Sequence, residues 1–329
     1  MKNGPGRFEY YLQKLENLLQ QSRQEMNPAL WLYRNDARTV VFMLEGLSKL
    51  YAGLHNKKRF GKIKEDLKLL EDGLGVIDYY DAYSKEFIAD SRFPAPLINY
   101  LEAQAREKIQ HLNDILTQRG WIGEDAGRIE KIRKKLKGAD WMKAGEEIKE
   151  IRKFYKKSTE EINGFFRSIN NRITEIETQA HKLRRKLRWL SIYPRALQGA
   201  IQLTANDTAD ENLTKYLTEE IRQSPYNKMP EAGTNSHLLM LEKDYFLSLS
   251  WMISSMGKRK DDGLRIVCVS EAIMQTRGTG KAEALALAYQ VLGEQHPRLT
   301  SILNETTAIC ETYFSEKNLD KLVAGISPS

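Results

Sequence analysis

The residues best suited to binding chemistry lie in one short segment near the middle of the chain. Residues 180–190 carry a histidine and five cations but no acidic residue, namely His181, Lys182, Arg184, Arg185, Lys186 and Arg188. Helical spacing of i, i+3, i+4 and i+7 places four of them on one face. These four are His181, Arg184, Arg185 and Arg188. A second face collects Leu183, Leu187 and Leu190, so the segment predicts a helix with one packing face and one cationic face.

The cations on this face repel one another unless an anion lies beside them. The cationic face therefore suits a polyanion. Like charges at i, i+4, such as Arg184 and Arg188, destabilise a helix by a few tenths of a kcal/mol. The guanidinium fork holds two phosphate oxygens at once, and a neighbouring histidine adds a donor. The alternative is a solvated face balanced by acids on a neighbouring helix, such as Glu146, Glu147 or Glu150. Composition alone leaves both interpretations open.

This segment resembles the conserved histidine alpha-helical domain (CHAD) family, whose signature helix reads roughly His-x-x-Arg followed by further Arg and Lys. His181 to Arg184 and the cations after them are similar to the copy in the second half of such a domain. The first-half copy falls at Asn35 to Arg38, where Asn35 replaces the histidine and Arg38 keeps its cation.

A second segment carries part of the same resemblance. Family members often read Leu-x-x-Leu-Gly-x-x-Arg-Asp-x-Asp, and this chain has Leu70, Leu74-Gly75, Asp78 and Asp81. Asp78 stands where the family has its arginine. The match therefore lies in the spacing of the motif and in its last carboxylate, Asp81.

The resemblance implies two pseudo-symmetric antiparallel helical bundles that form one compact CHAD-like domain. Residues 1–165 would be the first half and residues 166–329 the second half, which carries the basic helix. It implies a basic groove that binds inorganic polyphosphate or another phosphate-rich polyanion, with no catalytic activity. From the residues themselves we expect no cofactor and no metal. The expected ligands are His181, Lys182, Arg184, Arg185 and Arg188, with Arg38 opposite them.

Two other functions stay open. Because the first-half copy lacks its histidine and most of its cations, the chain could be a degenerate family member that serves as a protein-interaction scaffold without binding polyphosphate. It could also bind RNA by stacking bases on aromatic side chains. The candidates for stacking are Tyr79, Tyr80, Tyr83, Trp189 and Tyr193, although their helical spacing favours core packing.

Helical periodicity along nearly the whole chain predicts an all-α fold. Helices are expected over residues 7–26, 28–54, 168–193 and 236–256, and a third helix is expected to stop near Gly73 and Gly75. Residues 264–269 are rich in β-branched side chains, but an isolated strand would lack a partner, so we predict helix there too.

Composition limits the class of protein. The 329 residues are 41% hydrophobic and carry a net charge of +7, which would attract a large anion. No stretch approaches the roughly 18 apolar residues of a membrane span, and Cys268 and Cys310 fit buried thiols, so we expect a cytoplasmic protein without membrane contact. The basic residues at 57–64 and 128–137 are interspersed with acids such as Glu65, Asp66 and Glu130, a pattern typical of a solvated surface. Oligomeric state is not determined by these patterns.

The histidines and one glycine-rich segment do not form recognisable binding sites. No two histidines stand at i, i+4 from each other or from a cysteine, so zinc binding has no support. Gly278 to Lys281 lacks the first glycine of a phosphate-binding loop and its final Ser or Thr.

Overall fold

The chain is helical throughout most of its length. The structure, a computed structural model, describes residues 3–124, 126–204 and 210–324. Helices make up 76% of the described residues, which confirms the predicted all-α class. The helices are α1 (Gly4–Ser22), α2 (Pro28–Arg34), α3 (Ala37–Leu54), α4 (Lys57–Ile88), α5 (Ala95–Gln118), α6 (Arg128–Lys137), α7 (Ala144–Ser168), α8 (Lys182–Ala196), α9 (Glu219–Gln223), α10 (Lys243–Arg277), α11 (Lys281–Leu292), α12 (Leu299–Ser315) and α13 (Asn318–Ala324).

Shorter elements complete the described part of the chain. A π-helix covers Ile176–His181, and 3₁₀ helices cover Glu211–Tyr216 and Pro225–Asn227. Two strands, β1 (Ile201–Leu203) and β2 (Leu239–Leu241), pair in parallel with Ile201 opposite Leu239.

The described residues form two compact units, each built from separate stretches of the chain. One draws on residues 1–3, 142–264 and 297–329 and is called the α8 unit here. The other draws on residues 4–141 and 265–296 and is called the α4 unit. Helix α10 contributes residues to both. The predicted halves, residues 1–165 and 166–329, are sequence repeats and are not the same as these two spatial units. The division into repeats stays a prediction.

The core of the α4 unit forms where α3 packs on α4 and α4 packs on α5. Phe8, Leu44, Leu47, Phe60 and Ile63 are fully buried there. Apolar residues recur at helical spacing along each helix, so each helix has one buried face.

Helix α4 is longer than the sequence predicts. It continues through Gly73 and Gly75, where an end was expected, so that expectation is wrong. Both glycines lie against side chains of neighbouring helices. A Cβ at Gly73 would lie 2.8 Å from Cδ1 of Leu112, and one at Gly75 would lie 2.7 Å from Nη2 of Arg38. These glycines therefore permit close packing and do not end the helix.

The single helix predicted over residues 28–54 is two helices. The side-chain amide of Asn35 donates to the carbonyl oxygen of Trp31 (2.8 Å), which satisfies an acceptor at the end of α2. Asp36 then adopts a left-handed backbone with φ 53°, and α3 begins at the next residue.

The helix predicted over residues 168–193 begins later than expected. Helix α7 ends at Ser168, and Asn170 and Asn171 take left-handed φ values of 55° and 54°. Asparagine tolerates this region better than most residues, so the pair turns the chain. Helical structure resumes at Ile176.

Helix α10 also differs from its prediction. It begins at Lys243, after β2, and runs to Arg277. Residues 264–269 lie inside it, so the prediction of helix there is confirmed.

In the part of the chain that the structure describes, no helix combines the length and the apolar character needed to cross a bilayer.

Candidate functional site

The cationic segment lies in the α8 unit, where the π-helix leads directly into α8. The backbone N–H of Ala180 donates to the carbonyl oxygen of Glu175 (3.1 Å), the i to i−5 bond of a π turn. His181 already has α-helical backbone angles, φ −60° and ψ −45°. The α-helical spacing that was assumed for the cationic face therefore holds from His181 onward. π turns are frequent at functional sites.

The leucine face of α8 is buried as predicted. Leu183, Leu187 and Leu190 are fully inaccessible to solvent. From α7, the hydroxyl of Tyr155 donates to the carbonyl oxygen of Leu190 (2.9 Å), so the helix is held by its core side. The opposite side of α8 is therefore free to carry charge.

Arg184 is the cation that the structure fixes most firmly. Its Nε–H donates to the carbonyl oxygen of Ile253 on α10 (3.0 Å). Gly257 makes this approach possible, because a Cβ there would lie 3.0 Å from Nη2 and 3.1 Å from Nε. Burial lowers the pKa of Arg184, and the nearby charge of Asp261 opposes that shift. Among the described residues no carboxylate forms an ion pair with Arg184, so its Nη atoms remain available as donors.

His181 lies in a positively charged environment. Burial lowers its pKa, the charge of Glu177 raises it, and the charges of Lys260, Arg185 and Arg184 lower it. Its Nδ1 lies 3.4 Å from Oε2 of Glu177. The imidazole is therefore neutral at neutral pH and offers a donor without adding charge.

Lys260 on α10 is a cation near His181 that sequence reasoning missed. Only 17% of its side chain is exposed, and its ammonium lies 2.7 Å from Oδ1 of Asp261. Its charge acts on the imidazole of His181, which places it beside the cationic face. The signal in the sequence was the basic triplet at residues 258–260, which directly follows Gly257.

The two lysines of the cationic segment lie on another side of α8. The ammonium groups of Lys182 and Lys186 lie 5.2 Å and 5.8 Å from the ring centre of Phe165 on α7. Lys182 stays a predicted ligand, but it does not share the face of Arg184. Arg185 is half-buried and Arg188 is exposed.

Two of the acids that could have balanced α8 from α7 interact within α7 and its N-cap. Oε1 of Glu150 lies 2.6 Å from the ammonium of Lys153. The carboxylate of Glu146 accepts from the backbone N–H of Lys143 (3.4 Å). These two acids therefore do not neutralise the cationic face.

Arg38 lies in the α4 unit, where two carboxylates of α4 hold it. Its Nη2 lies 3.0 Å from Oε1 of Glu71, and its Nη1 lies 3.0 Å from Oδ2 of Asp78. Glu71 is buried, so this pairing fixes α3 on α4. Arg38 belongs to a different unit from α8 and is held by two carboxylates, so we leave it out of the site proposed below.

The segment that carried the second part of the resemblance is also engaged in local contacts. Leu70 and Leu74 are buried in the core. Oδ2 of Asp81 accepts from the hydroxyl of Tyr33 (2.8 Å) and lies 2.6 Å from the ammonium of Lys85.

The aromatic residues considered for base stacking are largely packed. Tyr80, Trp189 and Tyr193 are buried, with relative exposures of 9%, 5% and 1%. Tyr79 and Tyr83 are half-buried and contact each other edge to face, 5.2 Å between ring centres. These side chains therefore form no exposed platform for bases.

Within the described ranges, His, Cys, Asp and Glu side chains form no group that could hold a metal ion.

No family model matches the chain, and neither a curated protein nor a solved structure shows significant similarity to it. Functional inference therefore rests on the site itself.

Proposed function

We propose that the chain binds a phosphate-rich polyanion, with inorganic polyphosphate as the first choice, and does so without chemical turnover. The binding surface is the cationic face of α8, formed by His181, Arg184, Arg185 and Arg188, together with Lys260 of α10. The observation that carries the proposal is the half-buried guanidinium of Arg184. A main-chain carbonyl positions it, and no described carboxylate pairs with it.

The charge of α8 supports an anionic ligand. The helix carries six basic side chains and no acidic one: Lys182, Arg184, Arg185, Lys186, Arg188 and Arg195. Arg184 and Arg188 lie one helical turn apart, so one phosphate ligand could contact both. Phosphate oxygens also suit the paired Nη donors of arginine better than a single point charge does.

We further propose that the chain is a divergent member of the CHAD family. The support is the match of His181 and Arg184 to the family signature at the start of a basic helix. The departure is in the first half, where Asn35 replaces the histidine and Arg38 pairs with carboxylates. This departure favours a second candidate function, a protein-interaction scaffold that binds no phosphate polymer.

Binding of long-chain polyphosphate by charge-reversed variants tests the proposal. Arg184→Glu with Arg188→Glu should weaken binding by more than about 100-fold, since each charge-assisted contact is worth about 1.4 kcal/mol or more. Because Arg184 also supports packing, the variant Arg185→Gln with Arg188→Gln serves as a milder second test, with circular dichroism to verify folding.

The control changes net charge equally at two exposed lysines outside α8, Lys228→Glu with Lys281→Glu. It should bind polyphosphate nearly as tightly as the unmodified protein. Equal affinity of the α8 variants and the control would remove the proposal, and failure of the unmodified protein to bind would leave the scaffold as the better candidate.

A further inference from the structure

A second basic surface lies in the α4 unit, where the start of α4 adjoins the end of α6. Nη1 of Arg59 donates to the carbonyl oxygen of Gly138, the residue that caps α6. Asp66 of α4 lies 3.2 Å from Nη1 of Arg128 and 3.6 Å from the ammonium of Lys135. The two helices therefore run side by side in opposite directions along this stretch.

The two segments hold a large share of the positive charge. Residues 57–66 and 128–137 contain eleven basic and three acidic side chains. Their net charge of about +8 exceeds the +7 of the whole chain. Positive charge is therefore concentrated in these two segments.

Three carboxylates pair with the less exposed cations of the two segments. Asp66 forms ion pairs with Arg128 and Lys135. Glu9 and Glu16 of α1 each lie 2.8 Å from Nη2 of Arg133. A set of outer cations remains, called the α4–α6 patch here: Lys57, Lys58, Arg59, Lys62, Lys131, Lys134 and Lys137. In the part of the chain that the structure describes, none of these seven forms an ion pair.

Helix geometry arranges the patch in two neighbouring rows. On α4, Arg59 and Lys62 are three residues apart and share a face with Asp66, which contacts α6. On α6, Lys131 shares a face with Arg128 and Lys135, which contact α4. At 1.5 Å per residue, the patch cations span about 7.5 Å along α4 (residues 57–62) and about 9 Å along α6 (residues 131–137).

The exposed side chains of the patch are charged, and no large apolar or aromatic side chain of the two segments is exposed beside them. Every large apolar residue of the two segments is buried: Phe60, Ile63, Ile129, Ile132 and Leu136. A membrane-binding surface would present apolar side chains for insertion, and a single-strand binder would present aromatic rings for stacking. Two rows of cations without either feature fit the paired phosphate backbones of a nucleic-acid duplex, which carries about one charge per 1.7 Å.

We propose that the α4–α6 patch binds duplex nucleic acid through its phosphates, without regard to base sequence. This binding is independent of the polyanion site on α8. If five of the seven cations engage phosphates, the logarithm of affinity should fall with the logarithm of salt concentration with a slope of about −4.5.

The test is fluorescence anisotropy of a labelled DNA duplex of random sequence over a range of salt concentrations. Lys62→Glu with Lys134→Glu should reduce affinity at least about tenfold at low salt and make the slope shallower by about 2. The control Lys228→Glu with Lys281→Glu should keep both the affinity and the slope. Arg185→Gln with Arg188→Gln on α8 should also keep them, which separates this proposal from the one above.

Several results would overturn the proposal. Equal losses in the patch variant and the control would indicate general attraction by net charge. Binding of phosphatidylserine vesicles with no binding of duplex would indicate a membrane surface. If the patch variant loses polyphosphate binding but keeps duplex binding, the patch belongs to polyphosphate. Circular dichroism of each variant verifies that it is folded.

Discussion

Replacement of Gly257 by alanine tests whether Arg184 holds α8 against α10. Alanine in the interior of a helix is favoured over glycine by about 1 kcal/mol, so on propensity alone the change would stabilise the protein. A Cβ at Gly257, however, would lie 3.0 Å from Nη2 of Arg184 and 3.1 Å from Nε. The guanidinium would have to move, and its hydrogen bond to the carbonyl of Ile253, now 3.0 Å, would lengthen or break.

The magnitude follows from these opposing effects. A hydrogen bond from a charged donor contributes about 1.5–3 kcal/mol, and Arg184 is only half-buried, so we take the lower part of that range. Gly257→Ala should therefore lower the free energy of unfolding by about 0.5–1 kcal/mol. The matched control is Gly61→Ala in α4, where a Cβ would meet nothing within 4 Å. It should raise the free energy of unfolding by about 1 kcal/mol.

Urea denaturation of both variants, with polyphosphate affinity measured in parallel, provides the assay. The two alanine variants should differ by about 1.5–2 kcal/mol, and only Gly257→Ala should weaken polyphosphate binding. If both substitutions stabilise the protein equally, Arg184 does not hold the two helices together, and the argument for its positioning is refuted.

Three further outcomes follow from the structure. Arg38→Met removes the ion pair between Arg38 and the buried carboxylate of Glu71, so the unfolding free energy should fall by about 2 kcal/mol while polyphosphate affinity stays unchanged, as chemical denaturation and titration would show. Burial raises the pKa of the Cys268 thiol to about 12, so at pH 8 it should react with a thiol reagent only after denaturant is added, and rapid reaction of the native protein would contradict its burial. Hydrogen bonds, first that from Lys321, lower the pKa of Asp210 to about 2. The stability from that carboxylate is present above its unfolded pKa near 4 and is lost as pH falls toward 2, so urea midpoints of Asp210→Asn should fall less steeply over that range than those of the unmodified protein.

The all-α class and the two faces of α8 could be predicted because both depend on local spacing. Leu183, Leu187 and Leu190 recur at helical intervals, and a helix that buries such a row must expose the residues opposite it. No long-range information was needed. The burial of these three leucines confirms the packing face.

Partners from distant parts of the chain could not be predicted in the same way. Glu71 lies 33 residues from Arg38, and Lys260 lies 79 residues from His181, so no spacing rule links either pair. Their proximity depends on how helices pack. For this reason Arg38 was predicted as a ligand although two carboxylates hold it, and Lys260 was missed.

Glycine was the least reliable local signal. Gly73 and Gly75 predicted the end of a helix, yet both lie inside α4 because Leu112 and Arg38 approach its backbone closely. A glycine that permits close packing and one that ends a helix look the same in a single sequence. The pair β1 and β2 was missed because strands of three residues leave too short a pattern to detect.

A crystal structure of the protein with tripolyphosphate would test the binding site on α8 most directly. Phosphate oxygens should lie about 2.7–2.9 Å from the Nη atoms of Arg184, with Arg188 and Lys260 beside the same ligand. Phosphate density elsewhere on the protein, or none at a saturating ligand concentration, would contradict this prediction.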